Sequence, residues 1–448
     1  MQSSPPNAKR YVAVAAAAIV AALGAAPAPA RAAEVTLTPE LGQTALVPGK
    51  TRKVYLRVGL KGVKPASRTV RTPVNIAIVL DRSGSMQGAR LARAKEAAAM
   101  AVDRLGPDDI LALVVYNHEV DVLAKAARVT DAASLKRRIE VLTATGRTAL
   151  HAGVVEGGRE VERFLAAHRV NRVILLSDGL ANVGPATPAA LAELGRKLAG
   201  SGISVTTIGL GLEYNEDLMT RLAQASDGNH AFAEKPEDLV RIFDAEFGDV
   251  LSVVAQDAVI TIDALAGFKP LKVLGRDARI EGSRITLKMS QLYGAQEKYV
   301  IVELEAPGTA EVGDAEVARV GIDYHGLVSG KRVREEAVVK ARFTLSEREA
   351  EESVNKPVMA SVAAQIATVV SEQAVLLRDK GDIEGARRLL EDNAGYLGRK
   401  AKEYAAPALE ALRKKTKKSA SKLEGEAWRR ERKLLRAEQY RSKVQQSY

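Results

Sequence analysis

The residues of this 448-residue chain that could do chemistry gather first in one segment, Ile78-Val79-Leu80-Asp81-Arg82-Ser83-Gly84-Ser85-Met86. An apolar run enters a tight loop in which Asp81, Ser83 and Ser85 alternate, a spacing that lets several oxygens converge. Carboxylate and hydroxyl oxygens are hard ligands, matched to Mg²⁺, Ca²⁺ or Mn²⁺ rather than to zinc. Two later loops carry the same kind of atoms. Gly146-Arg147-Thr148-Ala149-Leu150 places a hydroxyl at a helix entry, and Leu175-Leu176-Ser177-Asp178-Gly179 places a carboxylate at the end of an apolar run. Two carboxylates balance a divalent charge without exceeding it, so such an ion keeps an electrophilic position that an incoming carboxylate can fill. That is a mechanism for metal-bridged binding to an acidic residue of a partner protein. The competing reading is helix capping by Ser85 and Thr148. Arg82 and Met86 are read as loop residues open to partner contact, and His151 as a partly buried helix residue near the rim.

The surrounding pattern must position these loops. Val74–Leu80, Asp109–Tyr116, Arg172–Leu176 and Ser204–Leu210 are apolar runs, with a short strand near His230–Ala233. Helical stretches follow the first run as far as Leu105, then span 131–142, 148–168, 187–199, 215–225 and 236–252. Apolar runs alternating with amphipathic helices predict a largely parallel sheet covered on both faces. In an open sheet of that kind ligands bind at the carboxyl ends of the strands, where Asp81, Ser83, Ser85, Thr148 and Asp178 would lie.

Taken in order, Asp-x-Ser-x-Ser, Thr and Asp on alternating strands and helices, this segment resembles the von Willebrand factor type A domain over roughly Val74–Val254. The resemblance implies a Rossmann-like, doubly wound α/β fold and a metal-ion-dependent adhesion site at Asp81, Ser83, Ser85, Thr148 and Asp178. In that family the serines and the threonine approach the ion directly and one or both aspartates often act through water. Ile208-Gly209-Leu210-Gly211 and Asn215-Glu216-Asp217-Leu218 are further echoes. The order of strands, type A segment, strands and helices is similar to exported bacterial relatives and, more distantly, to the heavy chains of inter-alpha-trypsin inhibitor. Asp-x-Ser-x-Ser alone is unspecific; its placement after a buried strand with the other two loops in order makes it specific.

Composition narrows the alternatives. There are no cysteines, which excludes disulfides, thiolate metal sites, a cysteine nucleophile and a lipoprotein anchor. The five histidines show no metal-ligand spacing. No G-x-S-x-G is present, and a phosphotransfer site would place a second carboxylate where Ser83 stands, so catalysis is disfavoured. At the N-terminus Lys9-Arg10, an apolar run from Tyr11 to about Ala26 and the small-residue exit Ala30-Arg31-Ala32 form a signal-peptide pattern, against the alternative of an uncleaved anchor. The chain beyond it is expected to be soluble and exported, periplasmic or extracellular, with no later membrane span.

The expected domains are a signal peptide at 1–33, strands at 34–72, the type A domain at 73–254, strands at 255–346, a helical hairpin at 353–398 and a basic helical tail at 399–448. The two strand regions are read economically as one β-sandwich with the α/β domain inserted. The alternative is an N-terminal hairpin plus a separate β-domain. The hairpin is reminiscent of a single tetratricopeptide unit, with Gly381 closing one helix and Asp382 capping the next. Net charge is +11, yet Tyr396–Tyr448 alone holds 16 Lys/Arg against 6 Glu, so the basicity belongs to the tail. Its Lys/Arg runs suit either a solvated helix or an anionic surface, and an exported chain argues against nucleic acid. The functional expectation is Mg²⁺-dependent protein binding, with Ca²⁺ or Mn²⁺ as other candidates. A scaffold or assembly factor of the envelope, its activity carried by the C-terminal helices, is the alternative, and an enzyme the remotest.

Overall fold

The computed structural model describes residues 34–50, 53–64 and 71–448. The predicted signal peptide lies outside the described residues. The first strands are β1 (Val35–Leu41), β2 (Ala45–Leu46) and β3 (Lys53–Gly62). The α/β segment follows: β4 (Val74–Asp81), a 3₁₀ turn at Gly84–Met86, α1 (Ala89–Asp103), β5 (Ile110–Tyr116), β6 (Val120–Arg128), α2 (Ala132–Glu140) and α3 (Leu150–Glu162). It continues through β7 (Val170–Ser177), α4 (Pro188–Gly200), β8 (Ser204–Leu210), α5 (Glu216–Ala225), β9 (His230–Ala233) and α6 (Asp238–Val250).

Its sheet runs in the order β6-β5-β4-β7-β8-β9. Every pairing is parallel except β5 with β6. All eight residues of β4 are buried, as a strand covered on both faces requires. Alternation divides them: Ile76, Ile78 and Leu80 join Ala94, Ala97 and Ala101 of α1 and Phe243 and Phe247 of α6 in one apolar cluster. Ala77 and Val79 join Val154 of α3, Leu194 of α4 and Leu222 of α5 in the other. This is the doubly wound arrangement. Helix α3 lies close on the sheet because Gly157 faces Val79; a Cβ there would come within 2.5 Å of Val79 Cγ2. The antiparallel edge strand β6 was not anticipated. Its side chains are mostly part-exposed, so it lacks the unbroken apolar run that marks its neighbours.

The chain then forms β10 (Val253–Ala264), β11 (Lys269–Leu274), β12 (Arg279–Glu281), β13 (Arg284–Tyr293), β14 (Glu297–Glu305), β15 (Gly313–Gly326) and β16 (Arg332–Phe343). These strands and the first three make two sheets, β1-β3-β14-β11 and β12-β13-β10-β15-β16-β2. Leu56 and Val58 of β3 pair with Val302 and Val300 of β14, so segments on either side of the α/β region lie in one sheet. Leu56, Leu60 and Val302 of the first sheet share an apolar cluster with Ile262, Leu287, Ile322 and Phe343 of the second. β12 is three exposed residues, and in β11 Leu271, flanked by Pro270 and Lys272, is set apart from Val273 and Leu274, so neither strand shows a regular apolar alternation.

Helices α7 (Glu347–Glu352), α8 (Lys356–Asp379), α9 (Ile383–Glu403), α10 (Pro407–Ala420) and α11 (Gly425–Val444) complete the chain. Gly381 adopts φ +93° after α8, and Asp382 caps α9 by accepting from Gly385 N at 2.8 Å. Two expectations change here. First, α8 is long and apolar enough to cross a membrane by length and composition, with a mean hydropathy of 1.4 over 18 residues. In the structure it packs inside the helical layer: Gln365 donates to Ser442 O at 2.7 Å, Gln439 donates to Ser371 Oγ at 2.9 Å, and Asn393 donates to Ala367 O at 2.9 Å. Second, much of the basic tail is not free. In α11, Arg429 pairs with Glu213, Arg430 with Glu234, Arg432 with Glu216, Asp217 and Asp379, and Lys433 with Glu216. Apart from Asp379, 53 positions away, these acids lie 196 to 217 positions earlier, so charge counting along the tail could not see them. Lys414, Lys417 and Lys418 of α10 stay exposed.

Candidate functional site

Register fixes the floor of the site. Asp81, the last residue of β4, sits opposite Tyr116 of β5, and on the other side Leu80 sits opposite Leu176 of β7. Ser177 in turn lies opposite Gly209 of β8. Asp81, Tyr116, Ser177 and Gly209 therefore occupy one level at the carboxyl edge of the sheet. Three loops rise from it and are tied together through backbone. Gly84 N donates to Gly146 O at 3.0 Å, and Thr145 N donates to Arg82 O at 2.8 Å. Gly146 has φ +78°, and a Cβ there would come within 2.2 Å of His118 Nδ1, so the position favours glycine. Thr148 is clamped to the third loop: its N–H donates to Asn182 Oδ1 at 2.9 Å and its carbonyl accepts from the N–H groups of Asn182 and Val183.

The side chains form a chain of oxygens. Asp81 Oδ1 accepts from Ser83 N at 2.8 Å and Oδ2 accepts from Ser177 Oγ at 2.7 Å. Ser83 Oγ lies 3.1 Å from Ser85 Oγ, which donates to Asp178 Oδ1 at 2.7 Å. Thr148 Oγ1 faces the same spot from the other side. A Cβ built on Gly179 would lie 3.2 Å from Thr148 Oγ1 and 3.4 Å from Ser85 Oγ, so glycine leaves the space between them open. Asp81, Ser83, Thr148 and Asp178 are buried, while Ser85 is exposed and marks the opening.

Electrostatics bear on what this arrangement suits. Burial pushes the Asp81 carboxyl up to about 6; hydrogen bonds from Ser83 and Ser177 oppose the rise and the Asp178 charge adds to it. Burial, with the nearby Asp81 charge, holds the Tyr116 hydroxyl well above its ordinary value. Two carboxylates at a water-poor sheet edge, one of them served only by neutral donors, call for a positive charge. Capping does not account for the hydroxyls. The N-cap of α1 is Gly88, that of α3 is Ala149, and neither helix receives a side-chain cap bond. Among the described residues no group of three or more His, Cys, Asp or Glu is placed to hold a metal ion. A set of two carboxylates and three hydroxyls nonetheless fits a hard divalent cation that keeps other ligands.

The structure thus brings together all five residues singled out from sequence. Three neighbours went unassigned: Ser177, although it directly precedes Asp178; Asn182, whose role depends on loop folding; and Arg90. The Arg90 guanidinium in the first turn of α1 donates to Asp178 Oδ2 at 2.5 Å. Two rim expectations are revised. Met86 is fully buried in the core beside Leu91, because the 3₁₀ turn rotates it inward. Arg82 is paired with Asp121 at 2.5 Å rather than free. His151 is partly buried, as its helical position implied, and that burial lowers its pKa.

Comparison with known proteins bears on the fold of this segment. Residues 75–245 match the family model of the von Willebrand factor type A domain. The uncharacterized protein sll0103 of Synechocystis is 26% identical over 281 residues, covering 60% of this chain and 66% of that protein. Inter-alpha-trypsin inhibitor heavy chain H3 of Homo sapiens is 28% identical over 174 residues, covering 36% of this chain and 19% of its own length. The chain therefore spans less than two thirds of these relatives. Among solved structures, a von Willebrand factor type A protein from Catenulispora acidiphila shares the fold with a TM-score of 0.67 at 19% identity, covering 83% of this chain and 88% of that one. On fold, strand order and family match together, residues 75–245 of this chain are a von Willebrand factor type A domain.

Proposed function

We propose that this is an exported protein whose type A domain binds a protein partner through a divalent cation, Mg²⁺ before Ca²⁺ or Mn²⁺, held by Asp81, Ser83, Ser85, Thr148 and Asp178. The observation that carries the reading is the run Ser83–Ser85–Asp178, with Thr148 Oγ1 turned to the same open point beside Gly179. When bound, the ion supplies an electrophilic position for a carboxylate of the partner. The chain's own residues do the rest. Ser177 and the Ser83 N–H fix both oxygens of Asp81, the Asn182 clamp fixes Thr148, and Gly179 keeps bulk out. Exposed Arg147, in the Thr148 loop, favours an anionic partner group at the mouth. Type A domains are mainly interaction modules and the heavy-chain relatives carry one, which supports binding over catalysis.

Export to the periplasm or beyond rests on the signal-peptide pattern of residues 1–33. We read the type A domain (73–254) as inserted in a β-sandwich built from 34–72 and 255–346, on the strength of the β3–β14 pairing. The hairpin at 353–398 and the basic region at 399–448 pack against both, α8 on the first β-sheet and α11 on α5 and β9. The test is retention of partners from an envelope extract by the full chain, with Mg²⁺ and with chelator, beside titration of Mg²⁺ itself. Wild type is expected to bind both the ion and a partner. Asp178→Ala is expected to lose both while keeping its circular dichroism spectrum. Partner binding that survives chelator and Asp178→Ala alike would overturn the reading.

One observation favours a second role for the helices. A groove of about 1160 Å³ between α9 and α10 is lined by Arg399, Lys402 and Lys417, with Glu391 and an Arg413–Glu410 ion pair, over an alanine- and glycine-rich floor, so cations outnumber acids there. Beside exposed Lys414 and Lys418 it suits an anionic surface, with the helices acting as a scaffold.

A further inference from the structure

Among the described residues, Arg90 is the one cationic side chain bonded to the oxygen set. Its Nη1 donates to Asp178 Oδ2 at 2.5 Å and to Ser85 O at 3.3 Å. The guanidinium lies against Gly211, just beyond β8: a Cβ built there, at φ +73°, would stand 3.4 Å from Arg90 Nη2, in ordinary van der Waals contact. The two ends of the pair differ: the Asp178 side chain is fully buried, whereas that of Arg90 is 33% exposed. Asp178 therefore cannot leave, but Arg90 can swing outward about its flexible stem. The two aspartates differ as well. Both oxygens of Asp81 are served by neutral donors, while Asp178 divides its oxygens between Ser85 and this guanidinium.

Resting on the metal-site reading above, we propose that Arg90 is a tethered counter-cation that competes with the divalent ion for Asp178 and so sets the affinity of the site. Without the ion, the guanidinium neutralises a buried carboxylate that would otherwise be uncompensated. With the ion, two positive centres meet at one carboxylate, and the side chain with access to water yields. Binding at this site is thus an exchange of one cation for another, weaker than the five-ligand set alone would give. The displaced guanidinium remains at the opening, tethered five residues along the chain from Ser85, where an arriving carboxylate would meet it.

The test measures Mg²⁺ binding to the full chain by calorimetry, together with the Mg²⁺-induced rise in melting temperature. The proteins are wild type, Arg90→Gln, Arg90→Lys and Asp81→Asn. Arg90→Gln is expected to bind Mg²⁺ about tenfold more tightly, within the ordinary range for coupled sites. It should also melt lower than wild type without metal and gain more from Mg²⁺. Arg90→Lys, which keeps the charge, should stay within about threefold of wild type. Equal or weaker binding by Arg90→Gln, with wild type binding and Asp81→Asn not, overturns the competition and makes Arg90 a positioning residue for Asp178. If Asp81→Asn binds as wild type does, or if neither wild type nor Arg90→Gln binds at all, the metal-site reading falls and this inference with it.

Discussion

Replacing Arg172 by Met is expected to be the most damaging single change distant from the site. Arg172 of β7 is completely buried and ion-paired with the equally buried Glu246 of α6. It also donates to Tyr293 Oη at 2.8 Å and to Gln291 Oε1, both on β13 of the six-stranded sheet that β10 joins. Glu246 further accepts from Thr206 Oγ1, from Asn229 Nδ2 at 2.8 Å and from the hydroxyl of Tyr448, the last residue of the chain. One cluster thus joins the type A sheet, the flanking sheet and the C-terminus. Removing one partner of a buried ion pair costs about 3–5 kcal/mol, because the other charge is left without compensation. At an unfolding entropy of about 2.1 cal/mol/K per residue, that corresponds to a melting temperature lower by about 3–6 °C for a chain of this length unfolding as one unit.

A pH arm makes the reasoning refutable. In wild type, burial alone would raise the Glu246 carboxyl, but Arg172 and the bonds from Thr206, Tyr448 and Asn229 outweigh it and hold the group below its ordinary value. A depressed carboxyl stabilises the fold above its unfolded range and loses that contribution only as pH falls through the folded value. In Arg172→Met the charge of Arg172 is gone, so burial wins and the folded carboxyl rises above its unfolded value. The folded state then takes up a proton that the unfolded state does not, and the variant's deficit shrinks as pH is lowered from about 7.5 to about 5. The double variant with Glu246→Gln is expected to lose less than the sum of the singles by at least about 1 kcal/mol. Calorimetry and urea unfolding at both pH values give these quantities. A deficit under about 1 kcal/mol at the higher pH, or one that grows on acidification, would refute the account.

Three further outcomes are expected. Gly179→Ala, which places a methyl group 3.2 Å from Thr148 Oγ1 and 3.4 Å from Ser85 Oγ, should weaken Mg²⁺ binding about tenfold or more while the melting temperature without metal moves by less than about 2 °C; calorimetry and thermal unfolding check both halves. Lys433→Met removes a buried ammonium that donates to Tyr214 O at 2.8 Å and to Glu216 at 2.6 Å, so α11 should loosen from the type A edge and limited proteolysis should cut the C-terminal region faster. Joint replacement of Lys414, Lys417 and Lys418 by Glu should abolish low-salt binding to anionic vesicles without altering the fold; trimming α11 instead would expose Trp428, Leu435 and Tyr440, so charge reversal on α10 is the cleaner probe.

What could be read from the sequence, and what could not, divides by the range of the interaction responsible. β4, β5, β7 and β8 announce themselves because a strand covered on both faces must be apolar throughout, and each is buried along its whole length. Asp81, Ser83, Ser85 and Asp178 were legible for a related reason: ligands at the carboxyl edge of a parallel sheet lie at or just beyond the ends of such runs, so motif and element confirm each other, whereas Thr148, at the entry to α3, was legible only through its order between the other two loops. β6 and β11 carry no such requirement and stayed silent. Met86 misled because its neighbours Ser85 and Gln87 are exposed, and only the 3₁₀ turn sends the side chain between them inward. Arg90 and Arg432 were out of reach for a different cause. Their partners, Asp178 and Glu216, lie 88 and 216 positions away, and a charge carries no local pattern that names its counter-charge. The same long-range pairing alters the meaning of the tail. A run of cations that reads as a free basic surface is, in α11, half of an interface whose acids belong to the type A domain. Lys433 stands over the ring of Tyr214 at 4.6 Å, and that ring covers Gly209, on the same level of the sheet as Ser177 and Asp81. The C-terminal helix thus braces the very edge from which the oxygen cage rises, so a perturbation of α11 should reach the site through Tyr214 before it reaches any distant surface.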